Sequence, residues 1–277
     1  MTHANHPPQK IDFELLFLIS VLKLKSLHYG YWQDDDELTL ANLRIAQQRY
    51  TDTLIDLIPE KVSNILDVGC GIGDISATLA ERGYKVTAIS PDENHRKYLE
   101  NRRDGNLIFY QTPFERFKSS EKFDLVLMSE SQNYFDNDVG FQQAVAHLNK
   151  GGYLLVSGTF KKRETDLFRR VISIEDKYLE RAKHYGLKLI RSINITDHVL
   201  PQSHFENKVY REHIEPLIEI AKDYLGRTMP LRLKLLKLLH RRAFNFLTEV
   251  YEDRTQRADP ELFEQNLKYM RFLFSYY

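Results

Sequence analysis

The sequence predicts an α/β fold built on a mostly parallel sheet, and three observations carry that prediction. From Val62 onward, short apolar β-prone runs alternate with helical patterns, the order that buries a parallel sheet between helices. The first run, Ile65–Val68, ends in glycines at alternate positions, Gly69, Gly71 and Gly73, and a helical pattern begins at Asp74. The final stretch, Tyr269–Tyr277, is aromatic and strand-prone, with Ser275 its one turn residue. A strand, a tight glycine turn and a helix are what a Rossmann-type sheet uses to bring a ligand onto backbone N–H groups.

Taken in order, the first ten residues, with Pro7 and Pro8, read as a lead-in. A mostly apolar helix is expected over Ile11–Lys25 and a second over Leu38–Ile58. The acids Asp34, Asp35, Asp36 and Glu37 are expected at the start of the second helix, where they favour the positive end of its dipole. Contiguous aspartates on one turn point in different directions, which disfavours a metal site. Strands are expected at Ile65–Val68, Val86–Ile89, Leu107–Tyr110, Leu125–Met128, Tyr153–Ser157 and Leu187–Ile195, the fifth opening after the Gly151-Gly152 turn. Helices are expected at Asp74–Arg82, Val139–Leu148 and Ile174–Tyr185. The stretch Asp197–Asn266 is helical in pattern, with breaks at Pro201, Pro216, Pro230 and Pro260.

Bulk properties narrow the function classes. At 277 residues the chain suits one large α/β domain, or one domain with an elaborate cap. Its 39 acids balance 39 Lys plus Arg, so no bulk attraction to nucleic acid is expected. Cys70 is the sole cysteine, which excludes an internal disulfide or a cysteine-based zinc site. The apolar run Leu15–Leu22 is too short to cross a bilayer and lacks the flanks of a signal peptide. A soluble cytoplasmic protein is the expectation.

The turn N-I-L-D-V-G-C-G-I-G (Asn64–Gly73) departs from the dinucleotide spacing G-x-G-x-x-G and places an acid, Asp67, two residues before the first glycine. It resembles motif I of class I S-adenosylmethionine (SAM) methyltransferases. The resemblance implies a Rossmann-like seven-stranded methyltransferase sheet with an N-terminal helical flap and an inserted helical cap. Tyr269–Tyr277 would be its antiparallel seventh strand, beside the sixth; the alternative is an outer helix. The domain reading is then a flap over 1–60, a SAM-binding core over 61–196, a cap over 197–266 and the last strand over 267–277.

By the same resemblance, the backbone of Gly69, Cys70, Gly71 and Gly73 approaches the methionine moiety of SAM, and Asp67 holds its amino group through water. Cys70 also reads as a small buried residue. At the ribose position, Ser90 and Pro91 replace the usual acid, as in cyclopropane-synthase-like and sterol-methyltransferase-like enzymes. Asp92, Asn94 or His95 would assist there, although Asp92 serves equally well as a helix N-cap. At the adenine position the usual acid becomes Pro113, leaving the Phe114 N–H and the Glu115 carboxylate; Phe114 also reads as core. After the fourth strand, Ser129-Glu130-Ser131 resembles the M-E-S-G-E-H stretch of tocopherol-type methyltransferases. Ser129 would then lie beside the cofactor, while Glu130 acts as a base, orients the acceptor or merely caps a helix. Asn133-Tyr134 stands where cyclopropane synthases carry Glu-His, which argues against cyclopropanation.

The segment His28-Tyr29-Gly30-Tyr31-Trp32 resembles the G-Y-W entry motif of the same enzymes, which folds over the methionine end of SAM. An aromatic face near the sulfonium gains ~0.5–2 kcal/mol, a reason for Tyr31 or Trp32 there; Trp32 as plain packing is the other reading. His28 is the polar active-site candidate, with His198 and His204 further candidates, and no metal spacing occurs. Between Tyr224 and Thr248 there are basic residues Arg227, Arg232, Lys234, Lys237, Arg241 and Arg242 and no acids, and Leu231, Leu235, Leu238 and Leu239 fall at helical spacing. This basic amphipathic helix, 231–247, suits a membrane surface or an anionic acceptor, or packs its leucines on the domain with a solvated basic face. The expected function is methyl transfer from SAM to a small, lipophilic or aromatic acceptor. A cyclopropane-synthase-like lipid enzyme and a non-catalytic SAM-binding protein are the alternatives.

Overall fold

Seven strands form one sheet in the order β3-β2-β1-β4-β5-β7-β6 in a computed structural model. It describes residues 13–100, 105–165, 167, 168, 172–242, 245 and 258–277. The strands are β1 (Asn64–Val68), β2 (Lys85–Ser90), β3 (Leu107–Gln111), β4 (Phe123–Ser129), β5 (Leu148–Lys161), β6 (Leu187–Asn194) and β7 (Leu267–Tyr276). The first five are parallel, and β7 runs antiparallel to both of its neighbours. All seven expected strands are present.

Inserting β7 between β5 and β6 buries its two faces, which explains an aromatic run with so little polar relief. Tyr269 and Leu273 join the core on one side of the sheet; Met270, Phe272 and Phe274 join the core on the other. Two layers of helices follow from that arrangement. The connecting helices are α3 (Asp74–Glu81), α4 (Glu93–Glu100), α5 (Asn137–His147) and α6 (Glu175–His184).

The N-terminal part departs from expectation in two places. Residues 11 and 12 lie outside the described residues, and α1 covers Phe13–Val21, its last turn widened to the π form over Phe17–Val21. It ends before Lys25 because Lys23 takes a left-handed conformation, φ 54°, that no helix continues. The second helix, α2 (Leu40–Ile55), opens at Thr39, whose Oγ1 accepts the Asn42 N–H at 3.2 Å. The acidic cluster therefore precedes the helix instead of forming its first turn. Asp36 accepts the Gln33 N–H at 2.8 Å and pairs with Arg49.

Between them, the segment around Gly30 is clamped by α2 and by α7 (Thr196–Val209). The Tyr31 N–H donates to the Ala46 carbonyl and the Trp32 N–H to the His198 carbonyl, both at 2.8 Å. A Cβ on Gly30 would lie 2.6 Å from the Ala46 Cβ, so only glycine permits this approach. After α7, a π turn (Tyr210–Ile214) leads to α8 (Glu215–Thr228) and α9 (Pro230–Leu239). A short helix, Pro260–Asn266, runs directly into β7.

Gly73, the N-cap of α3, has φ 78°, and a Cβ there would fall 2.1 Å from Leu99 Cδ2. Left-handed strain and overpacking act together, so Gly73→Ala should lower the unfolding free energy by about 2–4 kcal/mol. Urea titration measures this; an unchanged midpoint would show that the turn is not packed as described.

Candidate active site at the carboxyl edge of the sheet

β1 delivers Asp67 to the sheet's carboxyl edge, and the chain turns over three glycines with φ of 72°, 55° and 78°. The Gly69 and Cys70 N–H groups donate to the Ile89 carbonyl at 2.9 and 3.1 Å, tying the turn to the end of β2. A Cβ on Gly69 would lie 2.5 Å from the Ser131 Cβ, whereas one on Gly71 would meet nothing nearer than Leu27 Cδ1 at 3.7 Å. The turn is thus packed at both ends and approachable at its middle. Beside Gly69, the buried Ser131 Oγ has no hydrogen-bond partner. Such a group costs about 1–3 kcal/mol when left unpaired, so the turn suits a ligand bearing a polar atom.

Asp67 is buried and accepts the Ser76 hydroxyl at 2.5 Å. Burial lifts its carboxyl to about 7, against the Ser76 hydrogen bond, with the Asp74 charge adding to the rise. A cationic group brought alongside would restore its charge. The Cys70 thiol is pushed up by burial, which keeps it neutral and unreactive.

Immediately after β4 comes Glu130, a non-glycine residue at φ 59°. Left-handed backbone there costs about 1–2 kcal/mol. The strain is held by the Glu130 N–H on the Ser157 carbonyl, 2.7 Å, and aims the carboxylate at two donors. These are the Tyr29 N–H at 2.8 Å and the Tyr269 hydroxyl at 2.6 Å. Burial raises the Glu130 carboxyl, while the His28 charge and those two donors work against the rise. The Tyr269 hydroxyl lies 2.9 Å from that of Tyr50, which donates to Ser157 Oγ at 2.7 Å and sits 3.0 Å from Ser129 Oγ. Beneath them, Arg271 is buried over the Tyr50 ring at 4.7 Å and bonds the Tyr50 carbonyl and Thr53 Oγ1. Burial pushes the guanidinium's pKa down, and the surrounding tyrosines support its charge.

His28 stacks on Tyr50 at 4.4 Å. Its Nδ1 is 2.7 Å from the Tyr29 carbonyl and its Nε2 is 3.0 Å from Asp74 Oδ2, both of them acceptors. Burial pulls its pKa down, but the Asp74 bond and charge, with Glu130 and the Tyr29 carbonyl, raise it overall. His28 is therefore placed as an imidazolium that pins the flap segment to α3.

The other candidates spread along the same edge. Ser90 Oγ is 3.0 Å from His95 Nδ1, and Asp92 accepts the Asn94 N–H at 2.8 Å, the N-cap arrangement for α4. Pro91 is exposed next to them. Phe114 is buried against Phe135, ring centres 5.4 Å apart, while Glu115 is exposed. Tyr31 stacks on His198 at 3.9 Å, Trp32 is wholly buried, and His204 is exposed. Among the described residues, no three metal-ligating side chains gather. Sequence reasoning missed Tyr50, Tyr269 and Arg271. The available signal was Arg271 itself, the one charge within Tyr269–Tyr277 and two residues from Tyr269 on the same face.

Because its folded pKa is raised, Asp67 holds its proton more tightly folded than unfolded. That contribution is fully present below about 4 and is lost as pH rises through about 7. The ligand-free protein should lose stability on the order of 2–4 kcal/mol across this window, and Asp67→Asn should flatten the loss. Urea denaturation at pH 5 and pH 8 decides it; equal slopes for both proteins would contradict the assignment.

Residues 65–152 match the methyltransferase-domain family. A ubiquinone biosynthesis O-methyltransferase of Rickettsia typhi is 27% identical over 165 residues, covering 54% of this chain and 64% of that protein. A 27-O-demethylrifamycin SV methyltransferase of Amycolatopsis mediterranei is 32% identical over 146 residues, 50% of this chain and 52% of that protein. The chain thus spans less than two thirds of the length of either relative. Geranyl diphosphate C-methyltransferase from Streptomyces coelicolor A3(2), solved with Mg2+, geranyl diphosphate and S-adenosyl-L-homocysteine, has a TM-score of 0.66. That likeness covers 94% of this chain and 93% of that one at 14% identity, a shared fold. By its strand order, its glycine turn and the match over residues 65–152, the chain carries a class I SAM-dependent methyltransferase domain.

Proposed function

We propose that the chain binds SAM across the glycine turn and methylates a small, lipophilic or aromatic acceptor at the carboxyl edge. The observation that carries this reading is the turn itself. Gly71 is approachable between two packed glycines, next to an unpaired Ser131 hydroxyl and a buried Asp67 whose charge a cation would restore. Asp67 would hold the cofactor's amino group, with the backbone of Gly69, Cys70, Gly71 and Gly73 beneath its methionine end. Ser90 and Pro91 stand for the ribose, the Phe114 N–H and Glu115 for the adenine, and Ser129 and Tyr31 for the sulfonium end. When bound, SAM would supply an electrophilic methyl group: an acceptor nucleophile bonds to that carbon in line as the carbon–sulfur bond breaks and S-adenosylhomocysteine leaves.

The chain's own contribution is position, charge and exclusion of water. With a hydroxyl acceptor, as the names of the two relatives suggest, Glu130 takes the proton released by the attacking oxygen. Tyr269 and the Tyr29 N–H hold that carboxylate, and the His28 cation balances its charge. The flap around Tyr29–Trp32 closes the edge from solvent. A cytoplasmic setting suits a chain with one buried cysteine. A lipophilic acceptor partitions into membranes, where the basic helix within 231–247 would meet it.

Calorimetry tests the cofactor site: Asp67→Ala should weaken SAM binding at least tenfold, about 1.4 kcal/mol. Wild-type affinity should rise as pH passes through about 7, the value to which burial lifts the carboxyl. Unchanged affinity in the variant would displace the cofactor from this turn. With labelled SAM and a panel of phenols and aliphatic alcohols, Glu130→Gln should lower kcat by about 100-fold or more while SAM affinity is kept. Turnover confined to small hydrophilic acceptors would overturn the lipophilic reading, and a product with a bridging methylene would favour the cyclopropane alternative.

A further inference from the structure

The helices α8 and α9 carry apolar stripes that no described residue covers. On α8, Leu217, Ile220 and Tyr224 recur at i, i+3 and i+7, and each is more than 60% exposed. On α9, Leu231, Leu235 and Leu238 recur at i, i+4 and i+7, with Leu231 80% and Leu238 74% exposed. Leu239 lies beside them and is equally open. No residue of α8 is buried, nor any residue of α9 whose burial is described, so the stripe leucines do not pack on the domain, one of the readings the sequence had left open. The sequence reading reached the α9 stripe but not the α8 stripe, and Met229-Pro230 joins the two helices into one arm.

Charge decides what such an arm fits. From Tyr224 to Arg242 there are six Lys or Arg and no acid, whereas the earlier part of α8 carries Glu215, Glu219 and Asp223, the last two paired with Lys222 and Arg227. The unbalanced positive charge therefore lies on α9 and just beyond it. Arg232, Lys234, Arg241 and Arg242 are exposed. At helical spacing, Lys234 flanks the α9 leucine stripe on one side and Arg232 on the other, and Arg241 follows just past the end of the helix. A second copy docked through the same face would set these cations against their own kind. An anionic lipid surface complements them, and leucines framed by Lys and Arg are what an interfacial helix presents. Among the described residues no helix is long and apolar enough to cross a membrane, so the arm would lie on the surface.

We propose that the α8–α9 arm is a docking element for anionic membranes, its two apolar stripes seated at the headgroup boundary and its basic residues on the headgroups. This deepens the lipophilic-acceptor reading by placing the protein where such acceptors dissolve, and its purpose rests on that reading, while docking itself is measured without turnover.

The test is sedimentation of the full chain with phosphatidylcholine vesicles, with and without phosphatidylglycerol. The expected result is binding at least tenfold stronger to the anionic vesicles, falling steeply with added salt. The double variant Leu231→Glu with Leu238→Glu should lose at least tenfold, with SAM binding by calorimetry unchanged as the control for folding. Arg232→Glu with Arg241→Glu is the second variant, expected to lose the anionic preference. Vesicle binding without SAM binding would sink the transfer reading and leave the arm. Failure to bind anionic vesicles, or equal binding by wild type and both variants, would overturn the arm. So would a stable dimer, seen by light scattering and abolished by the leucine variant, because the face would then belong to a second copy.

Discussion

The Glu130 carboxylate joins three parts of the chain that are far apart in sequence. Its donors are a backbone N–H of the flap, Tyr29, and a side chain of the last strand, Tyr269, 101 and 139 residues away. To reach both, the residue sits in left-handed backbone at the end of a buried strand, a conformation that survives only where its surroundings fix it. That one acid ties the flap and β7 to each other at the carboxyl edge, beside the clamps that α2, α7 and Asp74 place on the flap. The tyrosines that meet it are kept protonated by burial and by its charge, so they remain donors. Arg271 beneath them supplies a buried positive charge on the same side of the sheet, and among the described residues its partners are backbone, hydroxyl and ring faces.

The division of labour along the edge follows from strand order. With β1 and β4 adjacent at the centre, the glycine turn and Ser131 come within contact distance, because the two segments leave neighbouring strands. This is the switch point at which open α/β sheets place ligands. β2 and β3 carry Ser90 and Phe114 to one flank; β5 and β7 carry Ser157, Tyr269 and Arg271 to the other. A cofactor extended over the first flank leaves the second for the acceptor, and the second is where the tyrosines, Glu130 and the flap converge.

Most of the sheet was legible in the sequence, since strand-length apolar runs and glycine turns are local signals. The Tyr269–Tyr277 strand was legible only with the resemblance, because its partners Leu148–Lys161 and Leu187–Asn194 lie far upstream. The acids at Asp34–Glu37 misled, since dipole preference is weak beside an actual cap, and Thr39 supplied one. The glycine turn and Glu130 were singled out by motif. Tyr50 was not, because on α2 it falls in the apolar stripe with Leu43, Ala46 and Leu54 and reads as core. What places its hydroxyl among Ser129, Ser157 and Tyr269 is tertiary packing, which one sequence does not encode locally. His28 was found as a polar group, but its cationic state follows only from Asp74 and the Tyr29 carbonyl being set around it.

The measurement that bears most directly on this account is a crystal structure of the protein with S-adenosylhomocysteine. The homocysteine end is expected over Gly71, its amino group held at Asp67 directly or through water, and the Ser131 hydroxyl paired. Ligand density away from the Gly69–Gly73 turn, or an Asp67 carboxyl still bonded to Ser76 alone with no contact or water toward the ligand, would contradict it.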